Sequence, residues 1–362
     1  MKKKHRQNER IIVKYNNMKT IKIESDEIET AAGLLKKGEV VAFPTETVYG
    51  LGADATNATA VTKIFNAKGR AIDNPLIVHV GDRADLPIVT REVSTTAQKL
   101  MDTFWPGPLT LLLPKSSFIP DVTSAGLSTV GVRMPAHPVA LALLKLSGPL
   151  AAPSANLSGK PSPTEYSHVV DDLEGKVAGI INGTGATYGI ESTVFDPEKR
   201  MILRPGSITK EMIEAVIGEV TLDPYLEKQK EYLYNQEIKL ERVDIPLSPG
   251  QKYKHYAPTA RAYVVVGHKA DIIKKIMTKA QSEKNIGVLA TDETVELYKN
   301  SIDTVVLSMG SAKDNYSKLF SALRVFDKAN VDKIYIEGIE EAGIGFSVMD
   351  RIIKATSYNV IR

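Results

Sequence analysis

The residues best suited to chemistry stand in short polar clusters separated by apolar runs. The first is Phe43-Pro44-Thr45-Glu46-Thr47-Val48-Tyr49-Gly50-Leu51-Gly52. Two hydroxyls, a carboxylate and a phenol are framed there by a proline and two glycines, directly after Val40-Val41-Ala42-Phe43. Such a loop beyond a strand end suits ligand binding, and a solvated turn would use the same residue types. Lys68 and Arg70 flank Gly69. A guanidinium fork and an ammonium at that spacing can clamp phosphate oxygens, or stand as two solvated cations at a helix end. Asn74 and His79 follow, the histidine equally able to be a satisfied core residue. Ser154 and Asn156 alternate after Leu150-Ala151-Ala152, so an extended backbone aims both the same way. Ser and Asn are also common cap and turn residues. Ser162 between two prolines and the group Glu191-Ser192-Thr193 carry the same ambiguity.

Absences narrow the chemistry. There is no G-x-x-x-x-G-K-[ST] phosphate loop, no G-x-S-x-G nucleophile elbow, and no metal-ligand spacing among the histidines. The chain has no cysteine, which removes disulfides, thiol catalysis and cysteine-held metals and is compatible with a cytoplasmic protein. Gly343-Ile344-Gly345 lacks the third glycine of a dinucleotide fingerprint.

Positioning these clusters takes alternating strands and helices. Helical spacing predicts 28–37, with Gly38 as stop, then 57–68, 94–103, 138–146 and 210–217. Apolar runs predict strands at 40–43, 76–80, 109–113, 130–133 and 150–152, with further strand ends at 180–183, 192–196 and 201–206. Composition shifts between 221 and 260, where prolines and a glycine frame the basic, aromatic Gln251-Lys252-Tyr253-Lys254-His255-Tyr256, read as a structured linker. From Arg261 strands (263–267, 286–290, 304–308, 333–337) alternate with helices (270–280, 316–328), the rhythm of a small parallel sheet. The expected organisation is thus a basic extension without order (1–17), a catalytic domain (18–220), the linker (221–260) and a C-terminal domain (261–362).

At 362 residues, 43% hydrophobic and 25% charged, the chain has the composition of a soluble globular protein of two or more domains. A net charge of +3 is too small for wholesale nucleic-acid binding. No 18-residue apolar run occurs, so no membrane span is expected.

Taken together these segments resemble the threonylcarbamoyl-AMP synthase family in its long, two-domain form. The resemblance runs in order through Pro44–Gly52, Lys68-Gly69-Arg70, Asn74–His79, Trp105–Thr110, Gly131–Pro135, Ala152–Asn156, Glu191–Val194 and Leu203–Gly206. The linker Ser248–Pro258 and the stretch Gly343–Thr356 look like that form's linker and last helix. A departure is Ala152, where the resemblance leads one to expect a hydroxyl. It implies an α/β fold: a twisted, mixed open sheet with helices (YrdC-like catalytic domain) plus a small Rossmann-like parallel α/β C-terminal domain. The implied reaction condenses L-threonine, bicarbonate and ATP to threonylcarbamoyl-adenylate and pyrophosphate. The product feeds the downstream machinery that modifies tRNA to N6-threonylcarbamoyladenosine, in the cytoplasm, with direct tRNA contact left open.

Carried over residue by residue, Lys68 and Arg70 take the phosphates as the catalytic pair, with Mg²⁺ sharing the charge. Asn74, Thr129, Ser154, Asn156, Ser162 and Arg204 hold nucleotide. Thr45, Thr47, His79, Arg133 and Ser192 contact threonine, Arg133 pairing with its carboxylate. Tyr253, His255 and Tyr256 form a linker lid that keeps water from the labile adenylate. No residue stands out as general base. The alternative reading is a non-catalytic RNA-binding protein of the same fold, supported by the basic N-terminus.

Overall fold

The structure is a computed structural model that describes residues 18–240 and 256–362. The basic extension 1–17 and the linker residues 241–255, with Tyr253 and His255 of the expected lid, lie outside the described residues.

The first domain is built on eleven strands: β1 Ile21–Glu24, β2 Val41–Phe43, β3 Gly50–Asp54, β4 Ile77–His79, β5 Leu109–Pro114, β6 Thr129–Arg133, β7 Leu150–Ala151, β8 Gly179–Asn182, β9 Thr193–Asp196, β10 Met201–Arg204 and β11 Thr221–Leu222. Their order across the sheet is β1-β8-β2-β3-β7-β4-β6-β5-β9-β10-β11. The sheet is mixed. β4 and β6 run parallel, with His79 opposite Arg133, while β2 and β3 form an antiparallel pair. The glycine-rich end of the first polar cluster is therefore a strand, β3, and Thr45–Tyr49 are the connection of a hairpin. Glycine spacing hid that strand, because glycine weakens strand propensity and commonly marks turns.

Strand alternation splits the sheet's two faces between different cores. Val40 and Ala42 join the main core with Val61, Ile64 and Leu100, while Val41 and Phe43 join a second core with Leu35, Leu143 and Leu144. On this second face the helices Ile28–Lys36 and Pro138–Ser147 cover β1, β8, β2 and β3. Over β4 to β10 the same face carries a small cluster of Ile77, Leu112, Val194 and Leu203. Local signals set the helix that brings Lys68. Asn57 Oδ1 accepts from the amides of Thr59 and Ala60, and Gly69, in the left-handed region at φ 61°, ends Ala58–Lys68.

The second domain is a five-stranded parallel sheet: β12 Arg261–Val265, β13 Ile286–Ala290, β14 Val305–Ser308, β15 Lys333–Glu337 and β16 Val360–Ile361, in the order β14-β13-β15-β12-β16. Helices Lys269–Ser282 and Val295–Lys299 pack on one face, Leu319–Ala329 and Ile344–Ala355 on the other. The stretch read as a structured linker begins with regular elements. β11 pairs with β10 of the large sheet. The helix Pro224–Tyr234 that follows docks on both domains, through Leu226 in the main core of the first, Leu233 in the core of the second and a 2.9 Å hydrogen bond from Gln229 Nε2 to Asp350 Oδ1. Its weak apolar stripe in the sequence is that docking surface.

Candidate active site

A cavity enclosing about 740 Å³ of empty space, its open mouth included, lies over the second face of the large sheet. Ile77 and His79, two residues apart in β4, both line it, while Val78 between them belongs to the opposite core. The site is thus built on a sheet face as well as on strand tips.

The Gly69 turn presents Lys68 and Arg70 to this cavity. Lys68 is buried, and its Nζ donates to the Ser154 carbonyl, to the Asn156 carbonyl at 2.6 Å and to Asn156 Oδ1 at 3.4 Å. Burial, and then the neighbouring Arg70, pull its pKa well below the ordinary lysine value. Three oxygen acceptors satisfy all three protons of the ammonium form. Arg70, half-buried, donates to the Pro75 carbonyl at 3.2 Å.

Ser154 and Asn156 both line the cavity, and the loop around them is tied to the hairpin. Tyr49 N donates to Pro163 O, Leu51 N to Pro153 O and Ala155 N to Tyr49 O. Ser154 Oγ donates to Asn156 Oδ1 at 2.6 Å, and Asn156 Nδ2 donates to the Leu157 and Lys160 carbonyls, both at 2.9 Å. Asn156 thus performs the turn-forming role open to it and faces the cavity as well.

Thr45, Thr47, His79 and Arg133 line the cavity too. The Thr45 and Thr47 hydroxyls are 2.9 Å apart. Arg133 Nη1 donates to Thr47 Oγ1 at 2.9 Å, Nη2 to Glu46 Oε1 at 2.5 Å and Nε to the Gly107 carbonyl at 3.2 Å. Arg133 is therefore already paired with a carboxylate of the protein, a partner that nothing in the sequence pattern assigns. His79 stands edge-on to Phe43, and its Nδ1 has no hydrogen-bond partner among the described residues. Burial, reinforced by Arg133, drops its pKa to about 3, so the ring is a neutral imidazole.

Ser192, Arg204, Ser162, Glu191 and Tyr256 also belong to the lining. Ser192 Oγ is 2.8 Å from Thr110 Oγ1, and Arg204 donates to the Ser192 carbonyl from Nε at 3.1 Å and Nη2 at 2.9 Å. Ser162 Oγ donates to Glu191 Oε1 at 2.5 Å. Tyr256, the described member of the expected lid, is buried in the cavity wall and stacks on Phe320 of the second domain.

Two expected nucleotide contacts sit apart. Thr129 lines a separate cavity of about 280 Å³ with Leu112, Leu127 and Val194. Asn74 is buried outside the main cavity's lining, with its carbonyl 3.5 Å from Arg70 Nη2. Glu46 and Glu191 carry no individual signal in the sequence, although each sits inside one of the polar clusters. Buried carboxylates demand cationic partners, and those partners lie too far along the chain for spacing to show.

Chemically the cavity brings cations (Lys68, Arg70, Arg204) into one lining with hydroxyls and a neutral imidazole. That suits a polyanion held beside a small polar molecule. Among the described residues no group of three or more His, Asp or Glu side chains could hold a metal ion. No helix among them is long and apolar enough to cross a membrane.

Comparison with known proteins agrees with this layout. A family model described as telomere recombination (Sua5/YciO/YrdC) matches residues 33–206, and one described as threonylcarbamoyl-AMP synthase, C-terminal domain, matches 208–357. Among curated relatives, the threonylcarbamoyl-AMP synthase of Pyrococcus abyssi is 44% identical over 94% of this chain and 97% of its own. That of Bacillus subtilis is 46% identical over 93% and 94%. A crystal structure of the P. abyssi protein Sua5 complexed with L-threonine superposes with a TM-score of 0.85, covering 94% of this chain and 99% of the other. With both domains matched at this identity over nearly its whole length, the chain belongs to the threonylcarbamoyl-AMP synthase family.

Proposed function

We infer that the cavity condenses L-threonine, bicarbonate and ATP into threonylcarbamoyl-adenylate. In balanced form, the threonine amine attacks the bicarbonate carbon, forming a C–N bond as water leaves. A carbamate oxygen then attacks the α-phosphorus, and the bond to the β-phosphate breaks to release pyrophosphate. The observation that carries this reading is that Lys68–Arg70, Ser154–Asn156 and the Thr45–Thr47–His79 group, remote in sequence, line one cavity. Lys68 and Arg70 hold the triphosphate where charge develops on the departing pyrophosphate, a contribution of about 3–4 kcal/mol for one such contact. Ser154, Asn156, Ser162 and Arg204 seat the nucleoside. Thr45, Thr47, His79, Arg133 and Ser192 seat threonine, the Glu46–Arg133 pair fixing the hairpin connection around it.

Much of the rate enhancement then comes from holding the reactants in register. Among the described residues the lining offers no cluster of metal ligands, so Mg²⁺ would be held by the ATP phosphates themselves and would supply shielding of their charge. Tyr256, buried in the cavity wall, helps keep water from the labile adenylate. The product supplies the tRNA threonylcarbamoyl-transfer machinery.

The test is pyrophosphate release from ATP by the full chain with threonine and bicarbonate each present or omitted, with the adenylate trapped by rapid chromatography. Release that requires both supports the reading. tRNA binding without threonine-dependent release would favour the RNA-binding alternative instead.

A further inference from the structure

The helix Ile344–Ala355 carries Asp350, Arg351 and Lys354, yet all three are buried. Buried charge needs partners, and Arg351 finds two of its own in the other domain. Arg351 is completely buried; its Nε donates to Glu191 Oε2 at 2.8 Å and its Nη2 to the Pro205 carbonyl at 2.9 Å. Its guanidinium lies 5.7 Å over the Tyr256 ring, and Nη1 pairs with Asp350. Ser347 Oγ, one turn earlier, donates to the Gly206 carbonyl at 2.8 Å. The segment before Glu191 is shaped to admit the second domain. Gly189 is in the left-handed region at φ 68°, a Cβ there would sit 2.2 Å from the Ser317 carbonyl oxygen, and Ile190 is buried in the second domain's core.

We propose that Arg351 is a positioning residue for the nucleotide site: it pairs with Glu191 and fixes it, so that Glu191 accepts the Ser162 hydroxyl's hydrogen bond and leaves the Ser162 oxygen facing the nucleotide as an acceptor. The proposal rests on the reading of this cavity as the ATP site. A carboxylate in the wall of a site for a polyanion is unfavourable unless it is neutralised. Burial pushes the Glu191 pKa up, but Arg351 and Arg204 outweigh it and hold the group below the usual carboxylate range. A hydroxyl has one proton; once it is committed to Glu191, the Ser162 oxygen offers its remaining lone pairs only to donors, such as a nucleoside amino or hydroxyl group. The second domain thereby enters the site without touching substrate.

The test compares the full-length wild type with R351M, R351K, E191Q and the double variant R351M/E191Q. ATP binding is measured by equilibrium dialysis without threonine, KM and kcat by pyrophosphate release, and folding by thermal melting. R351M is expected to weaken ATP binding about tenfold, inside the coupling range of contacting side chains, with the loss in KM rather than kcat. R351K is expected to lose less. In the double variant no unpaired carboxylate remains, so its ATP affinity should return to that of E191Q alone. Wild-type ATP affinity in R351M, or an R351M loss that persists undiminished in the double variant, would overturn the proposal. If R351M does not fold, the comparison of R351K with R351K/E191Q decides by the same criterion. A wild type that binds ATP without threonine-dependent pyrophosphate release sinks the synthase reading and leaves this coupling measurable in the dialysis.

Discussion

Glu46 and Arg133, 87 residues apart in the chain, meet with Oε1 2.5 Å from Nη2, and their side chains are 7% and 4% exposed. The pair welds the hairpin connection between β2 and β3 to the end of β6, where the threonine contacts are proposed. Glu46→Ala leaves the Arg133 charge buried and unpaired, which costs about 3–5 kcal/mol. Urea unfolding should show that loss. Kinetics on the folded fraction should show the KM for threonine rising more than the KM for ATP. Equal effects on the two substrates would mean that the pair only braces the fold.

Lys68 is held by the Ser154–Asn156 carbonyls and faces the proposed phosphates. Lys68→Met should lower the rate of pyrophosphate release by about 10²–10³, the usual effect of losing one electrostatic contact to developing charge. Threonine binding measured by calorimetry should stay near wild type. A rate within a few-fold of wild type would move the phosphate role to Arg70.

The depressed pKa of His79 carries a stability signature. The buried ring stays neutral down to about pH 3 in the folded chain, whereas in the unfolded chain it takes up a proton near the ordinary histidine value of 6.5. The unfolded state therefore binds more protons between these values, so the stability contribution is full above about 6.5 and is lost as the pH falls towards 3. His168, also depressed to about 4, adds to the wild-type slope, so the His79 share must be read by difference. His79→Gln should flatten the stability–pH curve between pH 6 and 4 by up to about 1.4 kcal/mol per pH unit relative to wild type. Parallel curves would show that the ring is charged in the folded protein. The pH–rate profile from pH 7 to 9 should carry no limb from this residue.

Gly69 is in the left-handed region, and no atom lies within 4 Å of where a Cβ on it would stand. Gly69→Ala therefore meets no clash and costs about 1 kcal/mol for the backbone alone, measured by chemical unfolding. Because this turn presents Arg70, the KM for ATP should rise by a few-fold as well. A loss above about 3 kcal/mol would mean that the turn is packed more tightly than the open space implies.

The elements that hold Lys68 illustrate what local chemistry can say. Asn57 at the N-cap, the helical spacing of Val61, Ile64 and Phe65, and Gly69 at the stop are short-range signals, and the helix Ala58–Lys68 begins and ends where they place it. The helix Lys210–Ile217 and strands β13 and β15 match their predicted limits for the same reason. β3 and β11 were not legible. Three of the first strand's five residues are glycine or alanine, and the second is two residues long, held by pairing with β10 rather than by its own pattern.

In the site, residue types and spacing alone determined a set of polar clusters and, by resemblance, a reaction. Which clusters share a cavity was decided by the sheet order, which places β4 beside β6 and β7 although those strands come from distant parts of the chain. Thr129 illustrates the difference: it starts the strand that ends in Arg133, yet lines another cavity. The pairings Glu46–Arg133 and Glu191–Arg351 were likewise settled only by tertiary structure. A carboxylate's partner is whichever cation shares its low-dielectric surroundings, and burial of that kind exists only once distant parts of the chain have packed together.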